Sequence, residues 1–286
     1  MKRRSEALVR WLALSLVGIL SALSWGQEEA GDAAQMRLWH AFYRGRAMEL
    51  ALEETGDSAT ELKLVSEPIQ TWTNPIRGHT QHGTVHLWTN AGRPSVVGSI
   101  WSALDLKDRS RRNLCYEFHS LSQAPVSAKQ GDKTWWTTQE PGVTWLPLSD
   151  GPAPGSSRTI RLRQMRELVR ELRAEIVTQA GDNGELRLLP QPLYRYPEDT
   201  AGVVDGAVFS YVLATDPELF VLVELRRDKA TRKSEWMLAP ARFTGEPLRL
   251  SRGKEILWDS PRWEHSTYGV YDFLYGVEQR ADILSE

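Results

Sequence analysis

The chain has 286 residues, a formal net charge of −2, twelve tryptophans and a single cysteine, Cys115. The balanced charge gives no basic excess for binding nucleic acid or an anionic membrane surface, and one thiol excludes an internal disulfide. The length is sufficient for one large hydrophobic core or two smaller ones.

The amino terminus has the pattern of a secretory signal peptide over residues 1–26. The basic stretch Lys2-Arg3-Arg4 precedes an apolar run from Trp11 to Leu23 and a cleavage site at Ser24-Trp25-Gly26. That run is shorter than the roughly 20 residues that a membrane-spanning helix needs, and an uncleaved anchor is the alternative. We therefore expect a secreted or periplasmic protein with no membrane contact after cleavage, beginning with a disordered stretch at 27–34.

Residues 35–148 are predicted to form one helix followed by short strands. The helix is expected from Gln35 to Glu54, because aromatic and apolar residues recur at helical spacing and Gly56 is placed to end it. Short β-branched or aromatic runs separated by Gly, Pro, Asn and Asp then predict strands. These runs are Glu61–Val65, Ile69–Thr73, Thr84–Asn90, Ser95–Trp101, Asn113–Leu121, Val126–Lys129, Thr134–Thr137 and Val143–Leu146.

A linker at 149–157, rich in Gly, Pro and Ser, separates this region from a second one at 158–260. Ser157 is a suitable N-cap for a helix expected from Arg158 to Ala180. The remaining residues, 261–286, are rich in aromatic side chains and are expected to dock on the body of the protein. The strands predicted in the second region are Glu185–Leu189, Leu193–Tyr196, Ala207–Ala214, Leu219–Arg226, Glu235–Phe243, Leu248–Leu250 and Glu255–Trp258.

The two regions read as copies of one unit. Residues 61–65 (Glu-Leu-Lys-Leu-Val) align with residues 185–189 (Glu-Leu-Arg-Leu-Leu) at an offset of 124, and later positions align at offsets of 123 and 122. The tripeptide Gln-Met-Arg opens each predicted helix, at 35–37 and at 164–166. We interpret the fold as α+β, an internal duplication of a helix followed by a four- to five-stranded antiparallel meander, with two curved sheets each covered by a helix. Convergence of two similar meanders is the alternative.

One group of residues raises the question of a metal site: His79, His82 and His86, with Glu117 and His119 downstream. Zinc needs three or four ligands about 2.0–2.2 Å from one point. In an extended strand His82 and His86 lie roughly 13 Å apart, at about 3.3 Å per residue, so they cannot share an ion. His119 is also too far from His86, because a strand is expected between theirs, and only a curled 78–83 loop that joins His79 and His82, with Glu117 reaching in, would form a site. A structural role for His86 among aromatic neighbours is the other interpretation.

Three tryptophans, Trp101, Trp135 and Trp145, have no aromatic counterpart in the second copy. Indole rings on a rigid sheet can stack on sugars or hold a peptide. These three are therefore predicted to form a binding surface for an extracytoplasmic protein or a glycan. The alternative is that they fill the hydrophobic core.

Several phrases resemble a known family. They are Gly83–Thr89, Gly92–Pro94, Glu117–Ser122, Leu186–Tyr196 and Asp205–Ala207, and they span most of the mature chain. The chain resembles a family of secreted proteins from planctomycete-type bacteria. That family has no assigned activity, so the resemblance implies membership and transfers no functional residue.

The sequence contains no P-loop, no dinucleotide-binding glycine pattern, no nucleophile elbow and no His-Glu-x-x-His motif. We therefore predict a non-catalytic extracytoplasmic binding or structural protein without a cofactor. The alternative is a metal-dependent hydrolase that uses His79, His82, Glu117 and His119.

Overall fold

The computed structural model describes residues 33–56, 58–74, 80–178, 184–198, 200, 202–228, 231 and 233–280, with the backbone alone for 275–280. Over these residues the protein is mostly β, with two helices and three antiparallel sheets. The predicted signal peptide lies outside the described residues. No described helix combines the length and the apolar character needed to cross a bilayer.

The helices are α1 (33–48) and α2 (Arg158–Arg170), and Ser157 caps α2 as predicted, its hydroxyl accepting from the Ile160 N–H. The strands of the first half are β1 (Ala51–Thr55), β2 (Ala59–Glu61), β3 (Lys63–Leu64), β4 (Gln70–Asn74), β5 (Gln81–Asn90), β6 (Arg93–Leu104), β7 (Arg111–Ser120), β8 (Val126–Gln130), β9 (Lys133–Thr137) and β10 (Leu146–Pro147). Those of the second half and the tail are β11 (Leu172–Ile176), β12 (Gly184–Leu188), β13 (Tyr194–Arg195), β14 (Val203–Leu213), β15 (Asp216–Arg227), β16 (Ser234–Arg242), β17 (Leu248–Arg252), β18 (Glu255–Ser260) and β19 (Tyr271–Arg280).

Both helices end earlier than predicted, and within each predicted span the helix is followed by a strand, β1 from Ala51 and β11 from Leu172 to Ile176. Strand β1 pairs with β8, and β11 pairs with both β12 and β17. The run Leu172-Arg-Ala-Glu-Ile176 fits helical spacing, but it also places Leu172 and Ala174 on one face of a strand, where both are buried. Pairing on both edges of β11 outweighs the weak helical preference of so short a run.

Three sheets are present where two were predicted. Four strands form the first in the order β2-β1-β8-β9, and six form the second as β19-β7-β6-β5-β3 with β4 also on β5. The third has nine strands in the order β10-β16-β15-β14-β12-β11-β17-β18, with β13 on β14. Strand β12 bridges β11 and β14, whereas a break at Leu62 divides its first-half equivalent into β2 and β3.

The core has three parts. In the first half, α1 packs Trp39, Tyr43 and Ala47 against one face of β5–β7. In the second half, α2 packs Met165 and Val169 against one face of β14–β16. The opposite faces of the two sheets share the third part, in which buried side chains of both halves contact one another. The two sheets therefore pack face to face, with a helix on each outer side.

The two halves have the same order of strands and the same pairings. Strands β5, β6 and β7 pair in sequence as β14, β15 and β16 do, and the bulge after Trp88 in β5 recurs after Tyr211 in β14. Loop hydrogen bonds also correspond, since Thr55 donates to the Pro125 carbonyl and Val177 to that of Pro247. These pairings define equivalent positions, at an offset of 123 in β5 and β6 and of 122 in β1, β7 and β8.

The register corrects one part of the sequence alignment. Leu52 pairs with Ala128 and Ala174 pairs with Leu250, so β1 and β11 correspond at an offset of 122. The two Gln-Met-Arg tripeptides are 129 residues apart. They therefore do not occupy equivalent turns, because each helix leads directly into its strand.

Each half gives its last strand to the sheet of the other half. Strand β10 pairs with β16, with Leu146 opposite Leu238, and β19 pairs with β7, with Leu274 opposite Tyr116. Tyr116 and Leu238 are equivalent, so the two exchanged strands meet their partners in the same register. The described part of the tail is thus a strand of the first half's sheet.

Candidate binding site between the two sheets

A cavity of about 480 Å³ lies where the two sheets and the tail meet, and we call it the acidic cavity. Among the described residues, six aromatic rings and four carboxylates line it, together with Arg262. Its lining residues are Trp72, Gln81, Trp101, Glu117, Asp216, Glu218, Phe243, Thr244, Gly245, Glu246, Arg262, Trp263, Tyr271 and Phe273. The volume falls in the range of small-molecule sites.

The six-stranded sheet of the first half, which includes β4, β6 and β19, supplies an aromatic wall. Trp72 on β4 donates its indole N–H to the Ser99 hydroxyl at 3.1 Å, and its ring centroid lies 5.8 Å from that of Trp101. The position of Trp101 requires a glycine at residue 83, because a Cβ on that residue would lie 2.3 Å from the Trp101 Cβ. The Phe273 ring, on β19, lies 5.5 Å from Trp101 on its other side. The three rings are therefore fixed by strand pairing and by one another.

The carboxylates come from both halves. Glu117 on β7 accepts a hydrogen bond from the Tyr271 hydroxyl, and Asp216 on β15 accepts one from the Asn74 amide at 2.9 Å. Glu218 has only 1% of its surface exposed. Burial and the neighbouring Glu117 carboxylate raise the pKa of Tyr271 well above its ordinary value, so Tyr271 remains a donor at neutral pH.

Two arginines lie beside these acids. Arg262 pairs with Glu246 at 2.5 Å, and their side chains are 68% and 39% exposed. Arg242 lies over the Tyr271 ring, 5.5 Å from its centroid, and donates to the backbone carbonyls of Thr244, Glu246 and Pro261. Burial lowers the pKa of Arg242, and the nearby Tyr271 and Glu117 oppose that shift.

A second cavity, of about 300 Å³, occupies the equivalent place in the other half, and we call it the counterpart cavity. Arg93 lines it where Asp216 lines the acidic cavity, and Ser95 and Ala124 stand in the positions of Glu218 and Glu246. The equivalent of Glu117 is Ala239. None of the described residues that line it is aromatic; they are Glu54, Asn90, Ala91, Arg93, Pro94, Ser95, Leu121, Ser122, Gln123, Ala124 and Thr200.

An ion pair joins the two sheets on the counterpart side. Arg93 donates two hydrogen bonds to the carboxylate of Glu224, each at 2.9 Å, and Arg226 donates a third at 2.6 Å. The Glu224 side chain has no exposed surface. The guanidinium of Arg226 lies 3.8 Å from the Trp145 ring centroid and that of Arg93 lies 5.6 Å from it. A cation, a carboxylate and an indole ring are thus assembled here from the chain's own residues.

The three predicted binding tryptophans have different surroundings. Trp101 is buried and lines the acidic cavity. Trp135 is half-buried on the helix side of the first half, 4.9 Å from Tyr116, with the Lys133 ammonium 4.4 Å from its ring centroid. Trp145 belongs to the counterpart ion-pair cluster. Of the three tryptophans predicted to form a binding surface, Trp101 is the one that lines the acidic cavity.

The predicted metal ligands are divided between the faces of one sheet. His82 pairs with Ser102 and points toward α1, where its Nδ1 lies 2.9 Å from the Tyr43 hydroxyl. Glu117 and His119 are on the opposite face, toward the nine-stranded sheet. His79 lies outside the described residues. Within the described residues, no group of three His, Cys, Asp or Glu side chains is positioned to hold a metal ion.

The buried histidines are held in structural contacts. Desolvation by burial lowers the pKa of His82 to about 3 and those of His86 and His119 to about 4. His86 Nε2 lies 2.8 Å from the Thr84 hydroxyl, and His119 Nε2 lies 3.0 Å from the Gly142 carbonyl. All three are therefore neutral at pH 7.

Sequence reasoning missed most of the cavity. Asp216, Glu218, Trp263 and Tyr271 were not singled out, because they are far apart in sequence and match no motif. A signal was available in the sequence alignment of the two halves, which places Asp216 opposite Arg93, a reversal of charge at an otherwise similar turn.

Comparison of the chain with protein-family models, curated proteins and solved structures found no match.

Proposed function

We propose that this is a non-catalytic binding protein that holds a small ligand in the acidic cavity and acts outside the cytoplasm after loss of residues 1–26. The observation that carries the proposal is the cavity itself, which has a fixed aromatic wall on one side and buried carboxylates on the other. Binding sites of this kind are concave, mostly apolar and preformed, with a few convergent polar groups.

A binding role fits the chemistry better than catalysis does. The cavity's Glu117 and Asp216 are already engaged by Tyr271 and Asn74, which fixes their position. His82, His86 and His119 are neutral and are each hydrogen-bonded to a different, non-histidine partner. Side chains held in this way are suited to recognition, since their geometry is set before a ligand arrives.

We also propose that the two halves descend from one duplicated unit, and that the site arose where the copies diverged. Equivalent pairings, bulges, loop hydrogen bonds and exchanged strands support this. An experimental structure in which the backbone of the first half failed to superpose on that of the second, strand for strand, would contradict it. Export is tested separately, by sequencing the amino terminus of the mature protein, which is expected to begin at Gln27.

The binding role is tested by screening small organic molecules against the purified mature protein by ligand-observed NMR. The matched variant is Gly245→Leu, which fills the cavity without removing a lining side chain, because a Cβ at Gly245 meets nothing closer than the Trp263 ring at 3.9 Å. Gly45→Leu, on the exposed side of α1, is the control. Molecules that bind wild type and Gly45→Leu but not Gly245→Leu are expected. Binding unaffected by Gly245→Leu, or no binding at all, would refute the role.

A further inference from the structure

We propose that two copies of this chain associate through their α1 helices, packed antiparallel on the outer face of α1. The outer face is the side of α1 turned away from the six-stranded sheet, and it carries Leu38, Ala41, Gly45 and Met48. The acidic cavity lies on the opposite face of that sheet, so the inference does not depend on the proposed ligand.

The outer face of α1 is apolar over about three helical turns. Leu38 has 49% of its surface exposed and Met48 has 67%, so two large apolar side chains face the solvent. Between them lie two small residues, Ala41 and Gly45, which are also exposed, and a Cβ on Gly45 would meet no atom within 4 Å. A single exposed apolar residue is ordinary, but a contiguous apolar face on a helix is typical of an interaction surface.

The two helices can be compared position by position. The offset of 122 residues that relates β1 to β11 extends back into the helices, because each helix leads directly into its strand. At that offset Tyr43 corresponds to Met165. Ala47 corresponds to Val169, and all four side chains are buried against their own sheets. The faces turned away from the sheets therefore correspond as well.

The outer face of α2 is charged where that of α1 is apolar. The positions of Ala41, Gly45 and Met48 are occupied in α2 by Arg163, Glu167 and Arg170. Arg163 and Glu167 pair at 3.6 Å with side chains 72% and 54% exposed, as is typical of a helix face in water. Because the same fold accommodates charges at these positions, the apolar face of α1 is not required for folding.

The apolar residues are arranged symmetrically about Tyr43. When two identical helices pack antiparallel around a two-fold axis at that level, residues equally far before and after Tyr43 face each other. Ala41 then lies against Gly45 of the second copy, so small residues at the centre let the two backbones approach closely. Leu38 lies against Met48 of the second copy on both sides of this centre. The outer face is therefore complementary to itself.

The charges that flank this face complement each other in the same arrangement. Arg37 and Glu49 are exposed and lie equally far from Tyr43, so each Arg37 meets Glu49 of the other copy. Arg46 and Gln130 of the same chain both donate to Oε2 of Glu49, which leaves Oε1 to accept from Arg37. Two such contacts form in the pair because of its symmetry. Charge complementarity of this kind fixes the register of an interface.

The association is expected to be weak. One pair of helix faces is a small interface compared with the roughly 1,200 Å² that stable complexes bury. Dimers therefore form in concentrated protein, and the dilute chain is a monomer.

The test is sedimentation equilibrium of the purified mature protein over roughly a hundredfold range of concentration. Wild type is expected to shift from monomer toward dimer as the concentration rises. Arg37→Glu places two carboxylates opposite each other at both ends of the interface and is expected to weaken dimerisation about tenfold, and Glu49→Arg is expected to do the same with two cations. Arg163→Glu, the same change on the outer face of α2, is the control and leaves the association unchanged.

Mixing the two single variants is the deciding measurement. In a mixed dimer, Arg37→Glu supplies an acid at both positions and Glu49→Arg supplies a base at both, so the two end contacts are attractive again. An equimolar mixture is expected to dimerise about as tightly as wild type, although neither variant does so alone. This recovery also shows that both variants are folded. A mixture that associates no better than the single variants would refute the antiparallel register.

The triple variant Ala41→Arg/Gly45→Glu/Met48→Arg gives α1 the outer residues of α2. It is expected to remain monomeric at every concentration, with a far-UV circular dichroism spectrum like that of wild type. Dimerisation that survives this variant would place the contact elsewhere and overturn the inference. Wild type that stays monomeric in concentrated solution would overturn it too, and sedimentation of that monomer with phospholipid vesicles would assign the face to a membrane instead.

Discussion

The acidic cavity and the counterpart cavity occupy equivalent places in two similarly folded halves, yet their chemistry differs. On the counterpart side Arg93 and Glu224 pair and join the sheets. On the acidic side the same two positions hold Asp216 and Trp101, and a larger space remains. The difference teaches that the backbone fixes where a space between the sheets forms. The side chains at a few positions then decide whether an ion pair joins the sheets across that space.

The strongest test of this comparison removes the buried carboxylate of the ion pair. Glu224→Gln leaves Arg93 and Arg226 without their counter-charge and is expected to lower the free energy of unfolding by about 3 kcal/mol. We expect the lower end of the range for buried pairs, because the two arginine side chains are 34% and 29% exposed. Urea denaturation followed by far-UV circular dichroism measures the change.

Asp216→Asn is the matched variant on the acidic side. The Asn74 amide can still donate to the new side-chain oxygen, so a loss of only about 1 kcal/mol is expected. Equal losses for the Glu224 and Asp216 variants would contradict the assignment of stability to one cavity and binding to the other.

The next largest expected effect depends on pH. It is tested by placing residues of the second half at the equivalent positions of the first half. His86 and Thr84 are buried and bonded to each other, and their equivalents are Phe209 and Ala207. Burial holds the pKa of His86 at about 4 in the folded chain. On acidification below about pH 6.5, the His86 imidazole is therefore protonated in the unfolded chain while it stays neutral in the folded chain. The contribution of this histidine to stability is complete above pH 6.5. It is lost at roughly 1.4 kcal/mol per pH unit on acidification toward pH 4.

The double variant Thr84→Ala/His86→Phe is therefore expected to lose less stability than wild type between pH 7 and pH 5. Urea midpoints measured at both pH values report the difference. The same acid sensitivity in wild type and variant would show that other groups, such as His82 and His119, account for it.

The docking of the tail is tested by Tyr271→Phe. The hydroxyl of Tyr271 donates to the buried Glu117 carboxylate, and a hydrogen bond to a charged group contributes about 1.5–3 kcal/mol. In the segment that leads into β10, the residue equivalent to Tyr271 is Val143, which has no hydrogen-bond donor in its side chain. The loss of stability is therefore expected on the acidic side only. Tyr268→Phe, on an exposed ring of the same tail, is the control and should leave the thermal midpoint unchanged. A matching drop in both variants would exclude the hydrogen bond as the cause.

The smallest expected effect concerns the helices. Gly45 lies on the exposed side of α1, and a Cβ there would meet no atom within 4 Å. Gly45→Ala is expected to raise the free energy of unfolding by about 1 kcal/mol, through helix propensity alone. A loss of stability in urea would show that α1 approaches another part of the chain at this point.

Much of the strand pattern was predictable because it depends on local alternation. A strand was predicted at Leu219–Arg226, and the structure has β15 over this span, buried and paired with β14 and β16. The ends of the helices were not predictable in the same way, because Leu172–Ile176 fits two periodicities and only its partners β12 and β17 choose between them. Trp101 was singled out because the second half has no aromatic residue at the aligned position, and Trp101 lines the acidic cavity.

The sequence by itself determined the apolar faces of the strands, the cap of α2, the lack of an internal disulfide and the sequence similarity of the two halves. These features depend on composition, on neighbouring residues or on simple alignment. Only the tertiary structure decided that the sheets pack face to face, that β10 and β19 are exchanged, and that Asp216, Glu117 and Trp101 meet around one cavity. The physical reason is that strand pairing and sheet packing join residues more than a hundred positions apart. Local sequence patterns do not indicate which of these distant residues come into contact.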